Sequence, residues 1–349
     1  MRRITKCLGV LASAGLAAAS IGSASAATTP NITTKAQWQV AISHVPQRGS
    51  GCFRASYPAL AWHAAKCVAA PRIPVVPAVS SGSARHAGPE TLGDGVDYSA
   101  QVTGLISAGT GTFTGVSSGI TEKGQNGGSG GQVANAFSLQ LNTQFISGSP
   151  ACARAGVPAN CLAWQQFVYT YSSSRSSDLF MQYWLIDYDA TCPSGWFTFS
   201  SDCYTNSNAI TVNTVTAAQL ATVKLKGSAV SGGNDTVSLS VGSGSASSVT
   251  GKDSKIDLAP FWNTTEWGVY GDGGGSAANF GANTSLEAVT ALTDNTPTTA
   301  PTCVSEGFTG ETNNLTLAST SALGSQPSPT LGSRQTNGTA GTASCAVAS

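Results

Sequence analysis

Histidine is missing from most of this chain: its three copies, His44, His63 and His86, all precede residue 90. Serine and cysteine nucleophiles need an adjacent base, most often imidazole, so such schemes are excluded from the remaining body. Charge is scarce, with Asp, Glu, Lys and Arg at 10% of residues, and long helical periodicity is lacking. After the first 26 residues no stretch reaches the roughly 20 apolar residues of a membrane helix, so no membrane partner is expected. C-x-x-C spacing is absent, which argues against a zinc site. The glycine-rich runs Gly124 to Gly131 and Gly271 to Ser276 are not followed by a helical pattern, so they read as turns rather than as a nucleotide cradle. No cofactor, metal or nucleic acid is expected, and a monomer is.

What is present belongs to an exported all-β protein. Arg2, Arg3 and Lys6 precede the small and apolar run Leu8 to Ile21 and then Ala24-Ser25-Ala26. That is the pattern of a secretory signal over 1–26, with the mature chain starting near Ala27. Eight cysteines follow: Cys52, Cys67, Cys152, Cys161, Cys192, Cys203, Cys303 and Cys345. An even number in an exported chain implies disulfides, and nearest-neighbour pairing is the default.

Charge divides the chain. Residues 27–90 hold six basic side chains against one acid, whereas 91–349 hold eight against sixteen. Halves of opposite sign attract, so the basic segment 27–90 is a candidate propeptide, released when the body's carboxylates protonate, or else a solvated extension. Its Pro-rich run Ala70 to Pro77 and the Ser and Gly stretch Ser80 to Pro89 read as a linker.

From Tyr98 onward short runs alternate apolar and polar residues, at Tyr98 to Ile106, Ala136 to Phe145, Ala163 to Tyr171, Leu179 to Tyr188, Ala209 to Val215, Thr222 to Ala229, Thr236 to Val241, Lys255 to Leu258, Thr265 to Tyr270 and Leu286 to Leu292. Many short strands between polar turns predict an antiparallel two-sheet β-sandwich over 91–294. A short helix is allowed only at Ala217 to Leu220. The tail 295–349, rich in Ser, Thr and Gly, is expected to be irregular and held by a disulfide.

With imidazole gone, carboxylate and amide chemistry remains. Glu266 is the only glutamate between Glu122 and Glu287 and lies in the strand pattern Asn263 to Tyr270. Its amide counterpart is Gln165 or Gln166 in Ala163-Trp164-Gln165-Gln166-Phe167-Val168. These neighbours face opposite sides of a sheet.

Thr265-Glu266-Trp267-Gly268-Val269, then a glycine-rich loop and Ala278-Asn279-Phe280-Gly281, resembles the glutamate-bearing segment of the fungal glutamic peptidases, the scytalidopepsin or eqolisin family. Trp164-Gln165-Gln166-Phe167-Val168 is similar to that family's strand with the catalytic Gln, and Tyr183-Trp184-Leu185-Ile186-Asp187 to its aromatic strand. The shared order runs over roughly 135–292. The resemblance implies a concanavalin-like sandwich and a secreted endopeptidase acting on polypeptides in acid. In it Glu266 activates water, the Gln165 amide holds the oxyanion, chosen over Gln166 by its spacing to Val168, and Trp184, Trp267, Asp187 and Tyr183 line the cleft. Tyr183, Ile186 and Tyr270 replace a Glu, a Pro and an acid of the family pattern. The rival readings are a lectin-like or carbohydrate-binding module, with Asp187, Asp189, Asp253, Asp257 and Asp272 as possible calcium ligands, and a glycosidase pairing Glu266 with Asp187 or Asp272.

Overall fold

The computed structural model describes residues 32–79, 91–242 and 244–349. The expected signal, 1–26, and the stretch 80–90 lie outside the described residues.

Two antiparallel sheets pack face to face. The back sheet runs Cys52–Ser56, Ser245–Lys252, Asn234–Val241, Val223–Ser228, Ile106–Thr114, Ser285–Asp294 and Thr330–Thr336, in that spatial order. The front sheet runs Asp202–Asn206, Ser177–Ile186, Leu162–Tyr171, Phe137–Thr143, Thr264–Gly271, Tyr98–Gln101 and Thr302–Ser305. The chain is an all-β sandwich, as its alternation predicts. Cys52–Cys67, Cys152–Cys161, Cys192–Cys203 and Cys303–Cys345 are paired, the nearest-neighbour arrangement. Four disulfides fit an extracellular protein, and among the described residues no helix is long and apolar enough to cross a membrane.

Between the sheets lie Leu141, Phe167, Met181 and Trp267 from the front and Leu225, Val237, Leu239 and Val249 from the back, all buried. Two glycines let the largest rings in. A Cβ on Gly111 would stand 2.1 Å from the Trp267 ring, and one on Gly227 2.3 Å from that of Phe167. A side chain at either position would push the sheets apart, so close packing here depends on their absence.

Several elements depart from the expected pattern. Lys255 to Leu258 forms no strand; Asp253–Lys255 is a single 3₁₀ turn. Ala217–Thr222 is also 3₁₀, while Lys35–Ser43, which gave no strong periodic signal, is an α-helix started by a Thr34/Gln37 capping box. The tail is not irregular: Thr302–Ser305 extends the front sheet and Thr330–Thr336 the back sheet. Their Thr and Ser side chains weaken the sequence signal, but paired backbones satisfy the ladder whatever the side chain.

The N-terminal segment belongs to the same compact unit as the body. Cys52–Ser56 pairs with the edge strand Ser245–Lys252, which covers an otherwise open ladder. The stretch expected as a linker behaves differently again, since Val75, Val76 and Ala78 are buried. It crosses the outer face of the front sheet. Thr264–Gly271 is buried at every position, with Phe308, Thr309 and Asn313 hydrogen-bonded to Glu266 and Val269.

Candidate active site

The front sheet's register decides which side chains share a face. Glu266 stands opposite Asn142, Asn142 opposite Gln166, Gln166 opposite Gln182, and Gln182 opposite Asn206. One carboxyl and four amides thus form a row across five strands on the outer face. Trp164 and Trp184, two residues along from Gln166 and Gln182, lie on the same face and pack with Val76, Tyr204 and Phe308. Gln140, Val168 and Phe180 flank the row on its other side.

The amides are linked. Asn142 donates to Glu266 Oε2 at 2.8 Å and to Gln140 Oε1 at 3.1 Å. Gln166 donates to Gln140 Oε1 at 3.3 Å. Strands about 4.8 Å apart put the backbones of Glu266 and Gln166 roughly 10 Å apart, with Asn142 between them. Both side chains can therefore reach toward one point above Asn142.

Glu266 Oε2 also accepts the backbone N–H groups of Phe308 at 3.1 Å and Thr309 at 3.2 Å. Its Oε1 accepts from the Tyr270 hydroxyl at 3.2 Å. Burial pushes the Glu266 carboxyl above its ordinary range against the pull of these donors. Asp97, which the sequence reading passed over, is hydrogen-bonded to Glu266, and burial beside that carboxylate holds it well above the usual range. Nothing in the local pattern Gly95-Val96-Asp97-Tyr98 marks it, because the contact joins residues 169 positions apart in the chain.

Four of the six expected site residues do not join this row. Gln165 is paired with Tyr183, and both point between the sheets. There Gln165 faces Asp235, whose carboxyl burial raises to about 8, with the neighbouring Asp253 pushing the same way. Gln165 therefore does not share a face with Glu266, whereas Gln166, two residues from Val168, does. Trp267 also lies in the core, its Nε1 donating to Thr112 O at 3.0 Å and its ring 4.9 Å from that of Phe113. Asp187 sits in the turn after Ser177–Ile186, at a φ of 50°, with its backbone N–H donating to Asp202 Oδ1 at 2.8 Å. Trp184 alone of the expected lining residues joins Glu266 on the outer face.

That face is covered by the chain itself. Residues 71–78 run extended along the amide row from the Asn206 end toward Glu266. Asn206 donates to Pro71 O at 2.9 Å; Gln182 donates to Ile73 O at 2.9 Å and accepts from Val75 N at 2.7 Å. The Gln182 amide thus meets residues 73 and 75 as a neighbouring peptide unit would. Val75 packs on Val168 and Phe180, and Val76 on Trp164 and Trp184. Further along, Gly310 N donates to Val76 O at 2.7 Å and Ala78 N to Phe308 O at 2.9 Å, so the loop 306–311 closes over Glu266 beside the strap. Glu311 on that loop accepts from Val76 N at 2.9 Å and Gly275 N at 3.1 Å, and burial raises its carboxyl to about 7.

Two rival readings lose ground on this geometry. A carboxyl pair in direct hydrogen-bond contact is closer than the roughly 5–9.5 Å that glycosidase carboxylates need, and Asp272, six residues along the strand, is about 20 Å from Glu266. Trp262 and Trp267 are buried in the core, and Trp164 and Trp184 lie under the strap. Among the described residues no group of three His, Cys, Asp or Glu side chains is placed to hold a metal.

An all-β sandwich with a carboxyl and amide row on one covered face is the class that fold and site define. No family model matches the chain, and no curated protein matches it. A solved structure similar to it is the crystal structure of Scytalido-glutamic peptidase with a peptide-based transition state analog, over 68% of this chain and 97% of that one. Identity is 10% and the TM-score 0.29, a likeness too loose to bear on the reading below.

Proposed function

We propose that this chain is the latent form of a secreted, acid-acting endopeptidase in which Glu266 activates water and the Gln166 amide stabilises the oxyanion. The observation that carries the reading is the strap. An extended polypeptide already lies along the amide row, and its backbone is met by Asn206 and Gln182 through hydrogen bonds that depend little on side-chain identity. A face that accepts one extended segment by its backbone is shaped to accept another, as β-type peptide recognition requires.

The chemistry follows from the row. Glu266 as carboxylate takes a proton from water as that water attacks the peptide carbonyl, then returns a proton to the leaving nitrogen. A neutral amide aimed at the carbonyl oxygen stabilises negative charge as it forms. Gln166 has the reach for this from the far side of Asn142, whose own N–H holds Glu266 in place. The strap and the loop 306–311 keep substrate out, so activity requires both to leave.

The test is digestion of a denatured protein at pH 2 to 5 in the presence of pepstatin, after acid incubation, with the N-terminus sequenced before and after. Expected are a new N-terminus and proteolysis that falls by about 10³-fold or more in Glu266→Gln. Full activity in Glu266→Gln, or no proteolysis once the strap is displaced by Val75→Asp with Val76→Asp, overturns the reading.

A further inference from the structure

Asp97 and Glu266 are two carboxyl groups in contact, and counting protons assigns their charge. Tyr270 has one hydroxyl proton and two carboxyl oxygens within reach, Asp97 Oδ2 at 2.8 Å and Glu266 Oε1 at 3.2 Å. It can serve only one of them. Glu266 Oε2 receives three N–H donors, from Asn142, Phe308 and Thr309. Asp97 receives only the Gly93 N–H, at 3.2 Å, besides Tyr270, both on Oδ2. Its Oδ1 is buried and has no donor.

Two carboxylates this close in a buried site do not both ionise. The distribution of donors places the negative charge on Glu266, where three N–H groups meet it. The proton then belongs on Asp97 Oδ1, the atom otherwise without a partner.

We infer that Asp97 is the proton-bearing partner of Glu266, a neutral acid whose hydrogen bond favours the ionised form of the neighbouring carboxyl. It acts through Glu266 and so is a positioning residue. The titratable groups facing it are Glu266 and Tyr270 of the Thr264–Gly271 strand. The loop 306–311 brings backbone against the pair at Gly307, where an added Cβ would lie 3.0 Å from Glu266 Oε1 and 3.2 Å from Asp97 Cβ. None of the groups that shift Asp97 is a cation. With no positive charge to hold a second anion, ionisation of Asp97 would put two like charges in contact and disturb the base it supports. Asp97 therefore sets the upper end of the working pH range.

The pH consequence rests on the peptidase reading, but the location of the proton does not, so the two are tested separately. Infrared difference spectra of the whole protein at pH 7, native against Asp97→Asn, are expected to show the C=O band of a buried protonated carboxyl that only the native chain has. No such band overturns the inference, whether or not the protein cleaves peptides. A band without proteolysis upholds the proton assignment and counts against the peptidase reading. Should Asp97→Asn fail to fold, Tyr270→Phe removes one donor from Asp97 Oδ2 and is expected to move the band to higher frequency; an unmoved band overturns the inference. Where proteolysis is observed, Asp97→Asn keeps a donor but cannot ionise. Its kcat/KM profile should retain the acid limb and lose its upper limb, or move that limb up by more than about one pH unit. Asp97→Ala, which offers no donor, should move the acid limb upward. An unchanged upper limb in Asp97→Asn refutes the assignment.

Discussion

The two faces of one strand, Leu162–Tyr171, carry neighbouring glutamines into opposite settings. On the outer face Gln166 joins a row of amides that ends at Glu266 and lies under a peptide segment of the same chain. On the inner face Gln165 meets Asp235 between two sheets, near Asp253 and Tyr183. Each face offers a buried carboxyl near a glutamine amide, with a second acid beside it. The difference lies in what covers them. The outer pair is closed by a strap and a loop, each held by a few hydrogen bonds and apolar contacts, whereas the inner pair is closed by the packed core itself. A site that must admit substrate can be shut by the first kind of cover, because a segment can leave while the sandwich stays folded. It cannot be shut by the second.

The comparison breaks most readily at the glutamines. Gln166→Ala is expected to lower kcat by on the order of 10²–10³ with the melting temperature nearly unchanged, as loss of one oxyanion donor does. Gln165→Ala should leave kcat per folded molecule unaltered and cost about 1–3 kcal/mol of stability, since it strips a buried carboxyl of its amide neighbour. Steady-state kinetics and denaturant titration on both variants decide; the reverse pattern would exchange the roles of the faces.

Trp184 and Trp267 sharpen the same contrast. Trp267 fills the space that Gly111 leaves open, so Trp267→Ala should cost about 3–5 kcal/mol in unfolding experiments. Trp184 lies under the strap and packs against Val76, so its removal is expected to speed strap release, read as faster appearance of the new N-terminus in acid. Equal rates in Trp184→Ala and the native chain would detach the strap from this aromatic floor.

The smallest expected effect is on stability against pH. Burial raises Asp235, Glu122 and Asp272 to about 8 each and Glu311 to about 7. A carboxyl whose folded value lies above its unfolded value of 3.8 or 4.5 stabilises the fold fully below that unfolded value. The contribution falls as pH rises and is gone above the folded value. Thermal melting should therefore weaken steadily from about pH 4 to 8, and Asp235→Asn should flatten part of that slope. A melting temperature that climbs over this range would contradict the buried, protonated state of these groups.

Much of the fold was legible because period-two alternation survives wherever one sheet face meets the core, as in Thr236 to Val241 and Leu286 to Leu292. It failed where polar residues pair on both faces, as in Ser245–Lys252 and Thr330–Thr336. Of the site, Glu266 stood out through the scarcity of glutamate and the lack of histidine. Asn142 and Gln182 carried no signal of their own, since an amide in a strand reads the same on a wet surface and in a covered row. Their meaning comes from the register that lines them up with Glu266.

The chain's order alone indicated that a disulfide-bonded β-sandwich would form and that Glu266 was the acid to watch. Those properties follow from residue types and from alternation along a single strand. Which glutamine faces that acid, that Asp97 lies against it, and that a Pro-rich stretch lies along the row as a strap were decided only by the tertiary structure. Face and contact depend on how distant strands are set against one another, and a one-residue shift of register would exchange every assignment.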